Sequence, residues 1–289
     1  MKDKQAQLFG DPQMEQPLPP IRLFDDLWYL GSHTVGVYAL KTEEGLVLFD
    51  ATDLVDGDEA VIRPGLEAVG WGDVPVRTLY LTHGHFDHYM AADDVRLRTG
   101  CEVVLSETDA AWMVRCEENL DIHTRTWIGG VMPHISRYAI DGAVERYGRH
   151  WVRIMLAPGH TPGCLNYFFN VHENDREYVC ALSGGAIFGP GHFIGRDYPY
   201  GALWAVEQAL EFAKSTARFA ALAKELEASV YLSPHGHIAD LFEHAEANST
   251  RAEGAANAHI VGTEGVLARI RERHDAAMAA AAEYGQLVL

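Results

Sequence analysis

The run Leu81-Thr82-His83-Gly84-His85-Phe86-Asp87-His88 places three imidazoles and a carboxylate within six residues, directly behind the apolar stretch Val76 to Leu81. Strands end in loops, and Gly84 between two histidines lets the backbone bend until His83 and His85 converge on one cation. Adjacent residues do not share a face, so Asp87 and His88 point elsewhere, and the spacing assigns them to a second cation beside the first. A chance collection of surface histidines would not be expected between a strand-like run and a helical pattern.

The rest of the chain must support such a loop. With 289 residues, 48% of them apolar, it can bury a large core, and one α/β domain is expected. The formal charge of −18 argues against a nucleic-acid partner and against anionic membranes, both of which need a basic surface. Cys101, Cys116, Cys164 and Cys180 form no C-x-x-C pair and lie in apolar surroundings, so reduced, buried cysteines are expected. There is neither a basic start followed by an apolar run nor a membrane-length apolar stretch, which predicts a cytoplasmic protein. Residues 1–20 are polar and proline-bearing. They read as a flexible arm or as a strap across a second copy in a homo-oligomer, with the globular domain spanning 21–289.

Taken in order, Val35 to Leu40 and Leu46 to Asp50 read as a hairpin, and Asp58 to Val69 as a helix interrupted at Pro64-Gly65. Val76 to Leu81 is the strand before the histidine run, and Tyr89 to Leu97 a helix after it. Glu102 to Leu105 is a strand, and Ser106-Glu107-Thr108-Asp109 a capping-type helix start. Glu117 to Arg137 is a long connection of the kind that forms functional lids. His150 to Leu156 is a strand leading into Ala157-Pro158-Gly159-His160-Thr161-Pro162-Gly163, where two prolines and two glycines hold one histidine on a rigid turn. His160 is the candidate third ligand. A hairpin (Leu165 to Val171, Glu177 to Leu182), a helix (Ala202 to Leu226), a strand (Val230 to Leu232) and two helices (Asp240 to Asn248, Thr263 to Glu283) complete the chain.

The His83-to-His88 run resembles the H-x-H-x-D-H motif of the metallo-β-lactamase superfamily, and Pro158 to Gly163 resembles its P-G-H-T-P-G segment. The resemblance extends from about Ile21 to the C-terminus. It implies a four-layered αβ/βα sandwich with two metals at one edge of the sheets, His160 completing the first set, and Asp50 beneath the metal loops. Asp50 reads equally well as a simple turn former. The chain departs from most hydrolytic branches at Gly185, where they carry an aspartate that bridges both metals. This departure resembles subclass three of the metallo-β-lactamases, which complete the second metal with a late histidine. His235 in Ser233-Pro234-His235-Gly236-His237 takes that place, with His237 as its rival.

The resulting set is His83, His85 and His160 for one metal and Asp87, His88 and His235 for the other. All are nitrogen or oxygen donors, which suits two zinc ions, while iron or manganese fits the same donors. The reaction class implied is hydrolysis of an amide, lactam, lactone or ester of a small molecule by a metal-activated water, with Asp87 orienting the nucleophile. Alternatives are a thioester or lactone hydrolase of the glyoxalase II type and an iron-dependent oxidoreductase on the same fold. Trp127, His192 and Tyr200 are the candidate substrate contacts, because their segments flank ligand-bearing turns.

Overall fold

Strand β10 (Leu165–Glu173) is buried at every position. Tyr167, Phe169 and Val171 enter one apolar cluster and Phe168 another, so the strand needs a layer on each face. The computed structural model, which describes residues 14–54, 56–118, 132–187, 201–252 and 254–288, supplies both layers.

One sheet holds seven strands in sequence order: β1 (Ile21–Arg22), β2 (Leu27–Gly31), β3 (Gly36–Thr42), β4 (Gly45–Phe49), β5 (Val76–Tyr80), β6 (Glu102–Leu105) and β7 (Arg137–Tyr138). It is antiparallel up to β4 and parallel from β4 onward. The second sheet has the order β12 (Val230–Leu232), β11 (Arg176–Leu182), β10, β9 (His150–Leu156) and β8 (Val144–Tyr147), with only β11 and β12 parallel. The inner faces meet in an aromatic core where Phe49 stacks on Phe169 at 4.6 Å between centroids, beside Tyr80 and Tyr167.

Helices cover both outer faces. On the first sheet lie a π-helical turn (Asp58–Ile62) running into α1 (Arg63–Ala68), then α2 (Phe86–Tyr89), α3 (Ala92–Thr99) and α4 (Glu107–Glu118). Ile62, Leu66, Val95 and Met113 pack there against Leu48, Leu79 and Val103. On the second sheet, Phe219 of α5 (Gly201–Glu225) and Ile270 of α7 (Gly262–Val288) cover Met155, Phe168 and Ala181, while α6 (Leu241–Ser249) precedes α7. The result is the expected four-layered αβ/βα sandwich.

The helix expected over Tyr89 to Leu97 is two helices, α2 and α3. The break has a tertiary cause: the Met90 and Ala91 N–H groups donate to the Thr52 and Ala51 carbonyls, tying the metal loop to the end of β4. Strand β2 and the short strands β1, β7 and β8 are additions to the sequence reading. The first 13 residues lie outside the described residues. Beyond them, the Leu18 N–H donates to the Gly31 carbonyl at 2.7 Å and the His33 N–H to the Met14 carbonyl at 3.1 Å. Cys101, Cys164 and Cys180 are buried free thiols. Among the described residues no helix is long and apolar enough to cross a membrane.

Asp50 follows β4, His83 follows β5, Asp109 follows β6, His160 follows β9, Gly185 follows β11 and His235 follows β12. All six therefore leave the carboxyl ends of strands, the edge at which open α/β sheets gather ligands.

Candidate metal centre

His83 Nε2, His85 Nδ1 and His160 Nε2 form a triangle with sides of 3.0, 3.1 and 3.0 Å. With zinc–nitrogen bonds of about 2.0–2.1 Å, tetrahedral ligands lie about 3.3 Å apart, so this triangle is close to the size one zinc needs. Burial lowers the His83 pKa well below the ordinary imidazole value, and the neighbouring His88, His160 and His85 lower it further. His83 is therefore neutral, the form that coordinates a metal.

Asp87, His88 and His235 meet beside this triangle. Asp87 Oδ2 lies 3.4 Å from His88 Nε2 and 3.7 Å from His235 Nε2. The rings of His83 and His88 are 4.0 Å apart, so the two positions adjoin. His235 and Asp87 are 6% and 4% exposed, and His88 is fully buried. Burial lowers the His235 pKa to about 4, with His88 adding to the effect. Burial opposes charge on His88 as well, but the Asp87 and Asp50 carboxylates outweigh it and raise the pKa to about 10. Asp87 is held well below the usual carboxylate range: burial raises its pKa, and His88 and His235 more than reverse this. A metal cation held here would take the place of the proton on His88 Nε2.

Partners outside the cluster fix which atom each ring presents. His88 Nδ1–H donates to Asp50 Oδ2 at 2.8 Å, turning Nε2 inward. Thr82 Oγ1 donates to the same oxygen at 2.8 Å and accepts from His83 Nδ1–H at 3.0 Å, so one carboxylate sets the tautomer of two histidines. Asp50 also accepts the Thr82 N–H at 2.6 Å and has φ of 64°, so it is at once the turn former and the support. His235 Nδ1–H donates to the Thr34 carbonyl at 2.8 Å. The Tyr38 hydroxyl and the Gly36 N–H hold the Ser233 and Pro234 carbonyls at 2.6 and 3.0 Å, sewing this segment to β3. The His237 ring is 6.0 Å from that of His235, one step along a 3₁₀ turn (Gly236–Ala239).

Asp109 is the residue that sequence reading missed. Its N–H bonds Ser106 Oγ, as a helix start requires. Its carboxylate turns away from the helix and accepts the Gly84 N–H (2.9 Å), the Thr161 hydroxyl (2.7 Å) and the Gly163 N–H (2.6 Å). One buried carboxylate thus clamps the His83–His85 loop to the His160 loop. Burial raises its pKa to about 6 against the lowering effect of those three bonds. The clamp needs glycine at 163, where a Cβ would stand 2.5 Å from the Asp109 nitrogen.

Gly185 lies against the first triangle. A Cβ there would meet the Cβ, Cγ and Cδ2 atoms of His160 at 2.5, 2.6 and 2.8 Å. No side chain fits at 185 while His160 holds its place, which gives a steric reason for the missing carboxylate. Gly185→Asp is expected to displace His160 and lower zinc content rather than add a bridging ligand. Metal analysis of the purified variant checks this, and an unchanged or raised zinc content would contradict it. Trp127, His192 and Tyr200 lie outside the described residues.

The sequence pattern of the metallo-β-lactamase superfamily matches residues 29–204. A probable metallo-hydrolase, YqgX, of Bacillus subtilis is 30% identical over 58% of this chain and 72% of its own length. A hydroxyacylglutathione hydrolase of Rhodospirillum rubrum is 28% identical, but the match covers only 38% of this chain and 38% of that relative. The fold superimposes with a TM-score of 0.75 on BJP-1, a subclass B3 metallo-β-lactamase of Bradyrhizobium japonicum, over 96% of this chain and 99% of that one, at 19% identity. With its strand-end histidine loops and a pattern match across more than half its length, the chain belongs to the metallo-β-lactamase superfamily.

Proposed function

We propose that this protein is a zinc-dependent hydrolase that cleaves an amide, lactam, lactone or ester of a small molecule at a two-metal centre. The observation that carries this reading is the pair of adjoining ligand sets, in which Asp50, Thr82 and Thr34 fix the tautomers so that nitrogens face inward. His83, His85 and His160 would hold one zinc, and Asp87, His88 and His235 the other, with three protein ligands each as in catalytic zinc sites. Zinc held there supplies a Lewis acid for the scissile carbonyl and lowers the pKa of a water to about 7. Asp87 Oδ1 has no hydrogen-bond partner among the described residues, which leaves it to orient a water molecule and accept its proton. The charge of −18 favours a small-molecule substrate over a nucleic acid.

A second reading, thioester hydrolysis, is favoured by the relatives named hydroxyacylglutathione hydrolase. The two differ in substrate, not in ligands. Chelator-stripped protein is reconstituted separately with zinc, iron and manganese and assayed on β-lactams, lactones, esters and thioesters. Zinc is expected to restore hydrolysis of a lactam, lactone or ester. Turnover of thioesters alone would establish the second reading, and no turnover of any class by the zinc-loaded protein would contradict both.

A further inference from the structure

We propose that Asp26, His150 and His172 form a separate site for a divalent transition-metal ion of the zinc type, stapling the two sheets at the end remote from the candidate centre. Asp26 lies between β1 and β2 of the first sheet, while His150 opens β9 and His172 lies near the end of β10 in the second. The Leu165 N–H at the start of β10 bonds the Thr82 carbonyl beside the candidate centre. Seven residues of extended chain place His172 about 23 Å further along.

Three features point to a cation. The three coordinating atoms, one from each residue, lie within 4.8 Å of one another, and the residues are 7%, 1% and 8% exposed. His150 Nε2 and His172 Nδ1 both approach the same oxygen, Asp26 Oδ2, at 2.8 Å, with their rings at 81°. The far nitrogen of each ring faces another carboxylate: His150 Nδ1 is 3.4 Å from Glu43 Oε2, and His172 Nε2 is 3.8 Å from Glu177 Oε2.

Each ring thus stands between Asp26 and a second carboxylate. A divalent ion would take the place of the protons on the inner nitrogens, making those nitrogens and Asp26 its ligands, while the far nitrogens keep protons to donate to Glu43 and Glu177. Carboxylate, histidine and metal in line is the arrangement that orients histidine ligands generally. Partial compensation exists already, since Arg149 pairs with Glu43 at 3.1 Å and Asn170 donates to Glu177 at 2.8 Å, and neither occupies the inner position.

The test is a zinc titration followed by native mass spectrometry, comparing the wild type with His150→Gln/His172→Gln and with Glu43→Gln. The wild type is expected to bind one more zinc than the double variant, whatever number the candidate centre holds, and both should hydrolyse substrate at equal rates once zinc-loaded. Glu43 is half-exposed, so its substitution spares the fold; it should weaken the extra zinc about tenfold. Should the double variant not fold, His172→Gln alone supplies the comparison. Equal zinc counts in wild type and ligand variant would overturn the proposal and leave a hydrogen-bonded clamp only. Failure of the hydrolase reading would instead appear as lost turnover with this one-zinc difference intact.

Discussion

His160→Ala is expected to empty the first metal position and lower hydrolysis by several orders of magnitude while the chain stays folded. Two imidazoles remain of the triangle, one fewer than the three protein ligands usual for catalytic zinc. The fold survives because the loop is anchored independently of the ring: the Gly159 N–H bonds the Thr161 carbonyl, and Thr161 and Gly163 are held by Asp109. Zinc content, circular dichroism and turnover together check this. Unchanged zinc and unchanged turnover would remove His160 from the centre.

The second large effect is expected at Asp109. Truncation to Ala strands three buried donors at about 1–3 kcal/mol each, a total of roughly 3–9 kcal/mol. Against a typical stability of about 5–15 kcal/mol, that lowers the Tm on the order of 10 °C. It also unclips the His83–His85 loop from the His160 loop, so zinc affinity falls with stability. Asp109→Asn should suffer nearly as much, because its amide NH₂ must face at least one of three donors that need an acceptor. Thermal melts of metal-free protein separate the stability loss from the zinc loss. A metal-free Tm within a degree or two of wild type would show that the clamp contributes little.

What the sequence made legible followed the strength of local signals. The strands His150 to Leu156, Glu102 to Leu105 and Val230 to Leu232 have the expected bounds, because short β-rich runs flanked by turn residues leave little choice of register. The long helices α5 and α7 were visible in their apolar periodicity. Five of the six candidate ligands stand in the H-x-H-x-D-H run and on the proline- and glycine-bounded turn at His160, while His235 rests on the resemblance to subclass three. Asp109 was hidden because S-x-x-D already has a sufficient local explanation as a helix start, and only tertiary structure shows its carboxylate turned to two other loops. Asp26, His150 and His172 were hidden for a related reason. They lie 22 to 146 residues apart, and each alone is an ordinary strand-end polar residue. The interruption at Met90 was invisible because it rests on hydrogen bonds to Ala51 and Thr52, residues from another element.

In the proposed centre two metals adjoin at the strand-end loops, one on His83, His85 and His160 and the other on Asp87, His88 and His235. A crystal of the zinc-loaded protein, measured on both sides of the zinc absorption edge, tests this most directly. Two anomalous peaks are expected about 3.5–4 Å apart, each within bonding distance of its own three ligands, with His237 bound to neither. A single peak at these loops under excess zinc, or a second peak coordinated by His237 in place of His235, would contradict it.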